Sequence, residues 1–134
     1  MPRTEKRLKQ NGFYSKVKKS ENLQILASVG YLDFLTLMRK CEIILTDSGG
    51  VQEAATAPPI RKPVLVLRLS TERSEAVEAG FAKLVGVNRK DILKAIKETL
   101  ENREKLPESS PYGNGNAAER IVKILESEIT ASSF

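Results

Sequence analysis

The residues best suited to chemistry stand together at 47–50, where the apolar run EIILT gives way to Asp47-Ser48-Gly49-Gly50 and then to the helical pattern VQEAAT. Paired glycines let a backbone approach a ligand closely. The free amides of a helix start donate to anionic oxygens along a favourable dipole, and Ser48 adds a hydroxyl. The same four residues also suit a plainer role, in which Asp47 or Ser48 caps the helix and the glycines make the turn. Spacing leaves both readings open, because DSGG is neither the dinucleotide fingerprint nor a Walker loop. A second polar group follows the next apolar run, PVLVL: Arg68, then Ser70-Thr71-Glu72-Arg73-Ser74-Glu75. If the two runs are neighbouring strands, both groups share one rim, and Arg73 can offer a diphosphate two parallel donors. The alternative there is an exposed capping segment with a Glu–Arg surface pair.

What is missing narrows the chemistry further. Histidine is absent and Cys41 is the only cysteine. That removes the usual general base near neutral pH, the usual zinc ligands and any intrachain disulfide. No metal site and no cofactor are expected, and a reducing, cytoplasmic compartment is the simplest home for a lone core thiol. No stretch approaches the roughly 20 apolar residues of a membrane span, and MPRTEKRLKQ does not read as a secretory signal. The chain carries 22 Lys and Arg against 17 Asp and Glu. Seven of the cations fall within the first 19 residues, with almost no aromatics among them for stacking on bases, so neither nucleic acid nor membrane is an expected partner.

Elements able to position these residues alternate along the chain. Four runs read as strands: 23–26 (LQIL), 42–47 (EIILTD), 63–67 (PVLVL) and 83–87 (KLVGV). The second and third are continuously apolar, as strands covered on both faces of a parallel sheet are. Helices are expected over 4–10, 31–40, from Gly49 to about Thr56, from Thr71 to Ala79, over 90–103 and over 116–128. Pro58-Pro59 must end the third of these, and Gly80 suits the residue just past the fourth. Ile92, Leu93, Ile96 and Leu100 should form the buried side of the fifth helix, and Ile121, Val122, Ile124 and Leu125 that of the last. The 134 residues fit one α/β domain with a Rossmann-like, three-layer parallel sheet of about four strands. Such a sheet leaves an open edge, and Tyr31, Leu32, Phe34, Leu35 and Met38 lie within ten residues. Either core packing or pairing with a second copy of the chain would account for them.

Five blocks, YLDFLTLMRKCEIILTDSGGVQE, KPVLVLR, TERSEAVEAG, LVGV and PYGNGNAAERIVKIL, in this order and spacing, resemble the C-terminal part of UDP-N-acetylglucosamine 2-epimerases. The resemblance implies the C-terminal half of a two-domain, glycosyltransferase-B-like fold and a part in interconverting UDP-N-acetylglucosamine and UDP-N-acetylmannosamine. Carried over by motif, Ser48, Gly49 and Gly50 would bind the diphosphate of UDP or a UDP-sugar, Arg73 would contact it, and Phe34 would lie near the uracil. The family's catalytic carboxylates belong largely to its N-terminal domain, and its catalytic histidine to an early segment of the C-terminal one. Neither region has a counterpart here. The expectation is therefore a truncated UDP-binding domain over residues 1–134, with no catalytic residue of its own. It would work with a separate N-terminal-domain partner, or persist as a non-catalytic assembly or regulatory module that self-associates. Departures from the family pattern are local: Ala54 replaces the glutamate that grips the ribose, Arg61 a turn glycine, Ser74 a proline and Phe81 a small polar residue, and two extra residues precede Lys62-Pro63.

Overall fold

The structure is a computed structural model that describes residues 2–102 and 105–131. Its residues fall into two compact units, one up to Leu35 and the other from Thr36 onward.

In the first unit, α1 (Pro2–Gln10) starts ahead of the expected Thr4 cap and is followed by Gly12 at φ +70°. Glu5 and Lys9 pair one helical turn apart at 2.8 Å. A short helix, α2 (Tyr14–Lys18), follows. The ammonium groups of Lys9 and Lys18 lie 4.9 and 5.3 Å from the centre of the Tyr14 ring, and that of Lys16 lies 5.9 Å from the Phe13 ring, within cation–π range. Residues 23–26 are not a strand: 23–30 have no regular structure, and Leu23, Ile25 and Leu26 are exposed. Strand propensity is realised only where a neighbouring strand completes the ladder and covers the side chains. Among the described residues this run has no such neighbour.

α3 (Tyr31–Lys40) leads into the second unit. Of its apolar residues Met38 is buried, Phe34 and Leu35 are half-buried, and Tyr31, Leu32 and Leu37 are exposed. Beyond it come β1 (Ile44–Thr46), α4 (Gly49–Thr56), β2 (Val64–Val66), α5 (Ser74–Glu78), β3 (Ala82–Leu84), α6 (Arg89–Asn102) and α7 (Ala117–Ala131). The three strands form an open parallel sheet in the order β1-β2-β3, with Leu45 opposite Leu65 and Leu65 opposite Lys83. The central strand is the continuously apolar one, and Val64, Leu65 and Val66 are all within 1% of complete burial. Ala55, Ile60, Ala76, Phe81, Ala82 and Ala95 complete the core with Met38 and Ile44. Phe81 is thus a core side chain.

Connections follow the local chemistry. α4 stops at Ala57, which turns extended (φ −58°, ψ 137°) ahead of Pro58, as the residue before a proline is pushed to do. Gly80 follows the α5 cap residue Ala79 at φ +82°, the left-handed angle that glycine adopts without steric penalty. α6 turns Ala95 inward and half-buries Ile92 and Ile96, whereas Leu93 and Leu100 are exposed. α7 forms where expected, but Ile121, Val122, Ile124 and Leu125 are 52–61% exposed. Periodicity identifies the face that favours burial; it carries no information on whether a covering surface is present.

Candidate functional site

The site is built where β1 and β2 hand over to α4 and to the loop before α5. Ser48 occupies the α4 N-cap position with extended angles (φ −90°, ψ 125°), yet its side chain makes no capping bond. Its own amide donates to Thr46 Oγ1 at 3.0 Å, and its carbonyl accepts from the Gln52 amide. The capping alternative is therefore not realised, and the amides that open the helix keep their donor capacity. Gly50 faces open space: a Cβ built there meets nothing within 4 Å. A Cβ on Gly49 would come 2.8 Å from Glu72 Oε1 and 3.6 Å from Arg73 Cγ and Nε. The Thr71–Arg73 loop thus runs directly against the helix start.

Parallel pairing explains this placement. Because β1 and β2 point the same way and lie in register, the segments leaving them emerge at the same sheet end, where open α/β sheets bind ligands. Ser48, Gly49, Gly50 and Arg73 come together there. Phe34 belongs to the first unit, on α3, and its contact with a base stays with the proposal below.

Several residues that the sequence does not single out hold the rim together. Gln52, fully buried, accepts a 2.8 Å bond at Oε1 from Thr71 Oγ1, which in turn accepts from the Arg73 amide at 3.2 Å. Glu53 forms an ion pair with Arg73 Nε, and Arg68 pairs with Glu72 at 2.8 Å. The Glu72 carboxyl lies below its ordinary range, chiefly because its own backbone amide hydrogen-bonds it, with the Arg68 cation adding to the effect. Two further ties secure the loop before α7: Thr56 Oγ1 and Ser110 Oγ lie 2.6 Å apart, and Arg61 donates to the Leu106 carbonyl at 2.8 Å. Tyr112 lies in that loop. Burial pushes its phenol above the usual value and the Glu75 carboxylate adds to the shift. The available signal for Gln52 and Glu53 was their spacing, three and four residues past Gly49, which puts them beside it on the helix.

At the rim, Glu53 and Glu72 are engaged by arginines. Among the described residues no group of three or more His, Cys, Asp or Glu is placed to hold a metal ion, and no helix is long and apolar enough to cross a membrane.

A parallel sheet with a helix that starts uncapped at a strand end places the chain in the α/β class, whose ligands bind at that end of the sheet. The family model for UDP-N-acetylglucosamine 2-epimerase matches residues 1–126, and the chain belongs to that family. It is 45% identical over 124 residues to the UDP-N-acetylglucosamine 2-epimerase of Methanocaldococcus jannaschii, a match covering 92% of this chain and 33% of that protein. The Campylobacter jejuni enzyme is 42% identical over 108 residues, covering 78% of this chain and 28% of its own length. The solved M. jannaschii structure superposes with a TM-score of 0.83 over 95% of this chain and 34% of that one. The same enzyme in complex with UDP-GlcNAc and UDP gives 0.81. The Neisseria meningitidis enzyme bound to UDP-GlcNAc is 39% identical and gives 0.76, covering 87% of this chain and 32% of its own. The chain thus spans about a third of the length of the relatives it matches.

Proposed function

We propose that this chain is the nucleotide-sugar-binding part of a UDP-N-acetylglucosamine 2-epimerase, a single UDP-binding domain that is not catalytic alone and works in the cytoplasm. The diphosphate sits against the amides of Ser48, Gly49 and Gly50, Arg73 neutralises it, and Phe34 lies beside the uracil. The observation that carries this reading is the uncapped start of α4 facing Arg73, in a chain 45% identical to a protein solved with UDP-GlcNAc and UDP. Epimerisation by elimination and re-addition of UDP needs an acid and a base. The chain has no histidine, and Glu53 and Glu72 at the rim are paired with arginines, so in this reading the acid and the base lie outside these 134 residues. Ala54 removes a carboxylate acceptor for two ribose hydroxyls, a loss of about 1.5–3 kcal/mol, so UDP affinity is expected to be weak.

Calorimetric titration with UDP tests the reading: binding in the micromolar-to-millimolar range is expected, and a folded protein that binds nothing at millimolar UDP refutes it. Proton NMR of UDP-N-acetylglucosamine with the chain alone should stay flat; appearance of the manno isomer would overturn the non-catalytic part. A second reading, a self-associating module, is favoured by the exposed apolar stripe of α7. A clean monomer by light scattering, with UDP bound, removes it.

A further inference from the structure

Gln52 is the one rim residue whose chemistry packing does not explain. It is fully buried on the face of α4 that also carries Ala55 and Thr56. Its amide nitrogen has no hydrogen-bond partner among the described residues, and an unpaired buried donor carries a free-energy cost. The amide oxygen, by contrast, begins an ordered relay: Thr71 Oγ1 donates to Gln52 Oε1 at 2.8 Å, and the Arg73 amide donates to Thr71 Oγ1 at 3.2 Å. The relay ends on the backbone of the residue whose side chain lies beside Gly49.

We propose that Gln52 is a positioning residue for the anion seat: through Thr71 it fixes the loop that presents Arg73 to the α4 amides. It thereby sets affinity for the diphosphate of the ligand and not for its nucleoside. This rests on the UDP-binding reading above. A guanidinium aimed in advance loses less freedom when the ligand arrives, which is where pre-organisation acts. Cutting the relay leaves the arginine in place chemically but lets its loop wander.

The test uses the full chain and four variants, Gln52→Met, Thr71→Val, Thr71→Ser and the Gln52→Met/Thr71→Val pair. UDP affinity is measured by calorimetry and uridine affinity by saturation-transfer NMR. Gln52→Met and Thr71→Val should each weaken UDP by about 5- to 10-fold and leave uridine unchanged. The double variant should be no weaker than the worse single, because both cut one relay, and Thr71→Ser, which keeps the hydroxyl, should stay within about twofold of the unaltered chain. Equal losses for UDP and uridine, additive losses in the pair, or unchanged UDP affinity overturn the proposal while leaving UDP binding intact. No UDP binding by the unaltered chain overturns both. If Gln52→Met does not fold, the contrast between Thr71→Val and Thr71→Ser decides the outcome alone.

Discussion

Replacing Glu53 with glutamine should make the chain bind UDP more tightly. Glu53 forms an ion pair with Arg73 Nε, with the two side chains 40% and 35% exposed, so in the free protein the proposed phosphate-binding cation is already neutralised. A diphosphate must draw Arg73 away from that partner and then sit near a second negative charge. A half-exposed pair of this kind is worth about 0.2–1 kcal/mol after solvent screening. Repulsion between one carboxylate and a diphosphate at a separation on the order of 7 Å adds roughly 0.5–1 kcal/mol in a water-like dielectric. Glutamine removes both while keeping the side chain's length and its helix propensity. The combined gain is about 0.7–2 kcal/mol, or roughly a three- to thirtyfold lower Kd at low salt.

Titration calorimetry at about 25 mM and about 300 mM salt separates the two contributions, since the repulsion is screened within a Debye length. The gain should shrink to about two- to fourfold at the higher concentration. Thermal stability should fall slightly, by no more than about 4 °C, because one weak pair is lost. In an Arg73→Ala background only the relief of repulsion should remain, a gain of about two- to fivefold at low salt. Equal or weaker UDP binding by Glu53→Gln, with Arg73→Ala still impairing the unaltered chain, would refute the view that Glu53 competes with the ligand for Arg73.

Four further substitutions and one chemical treatment test separate parts of the structure. Gly50→Ala should raise stability by about 0.5 kcal/mol, since its Cβ meets nothing and alanine favours helix, while weakening UDP severalfold by filling the approach to the amides. Gly49→Ala should fold as well but displace the Glu72 carboxylate from its side; paired melting and titration curves check both. At Arg61, which sits at φ +43°, glycine relieves about 1 kcal/mol of left-handed strain and loses the bond to Leu106, so the net change should stay within about 1 kcal/mol. Lysine keeps the strain without the guanidinium fork and should be the less stable of the two in urea melts. Cys41 should alkylate several-fold more slowly than a free thiol at pH 8, because burial raises its pKa and its Sγ donates to the Met38 carbonyl at 3.1 Å. Its folded pKa lies above the unfolded one, so the stability it contributes is present below about pH 9 and declines as pH rises beyond that. Alkylation rates across pH, with and without urea, measure both effects.

How much of this was legible in the residues depended on whether the cause was local. Both 42–47 and 63–67 read as strands covered on both faces; Val64–Val66 are buried so, whereas β1 lies at a sheet edge with Leu45 exposed. Ala57-Pro58-Pro59 read as a helix stop and Gly80 as a helix exit because backbone sterics alone dictate them. Residues 23–26 have the same strand propensity as the true strands, and their failure to pair depends on a neighbour that no local pattern reports. The α7 stripe is the same lesson for a helix: Ile121 and Ile124 carry the period, but their exposure is a property of the surroundings. At the rim, DSGG announces itself by glycines and a strand end. Gln52 and Glu53 look like ordinary polar helix residues until the loop after β2 shows which one is turned inward and which one meets an arginine.

The distribution of charge explains why those two helix residues matter so much. Up to Leu35 there are seven Lys and Arg against three Asp and Glu, and beyond it fifteen against fourteen. The unit that carries the anion seat is therefore nearly neutral, and the chain's positive excess lies in the other one. A strongly basic surface would attract a diphosphate from a distance whatever the local arrangement of its arginines. Here that long-range pull is weak within the seat's own unit. In the proposed seat, recognition would depend on oriented amides and on one guanidinium, whose loop is tied through Thr71 to Gln52 and whose charge is held by Glu53. A site of that kind is sensitive to substitutions that leave net charge untouched, as Gln52→Met and Thr71→Val do. It should respond much less to removal of distant lysines such as Lys94 or Lys97, whose side chains are 77% and 76% exposed and pair only along α6.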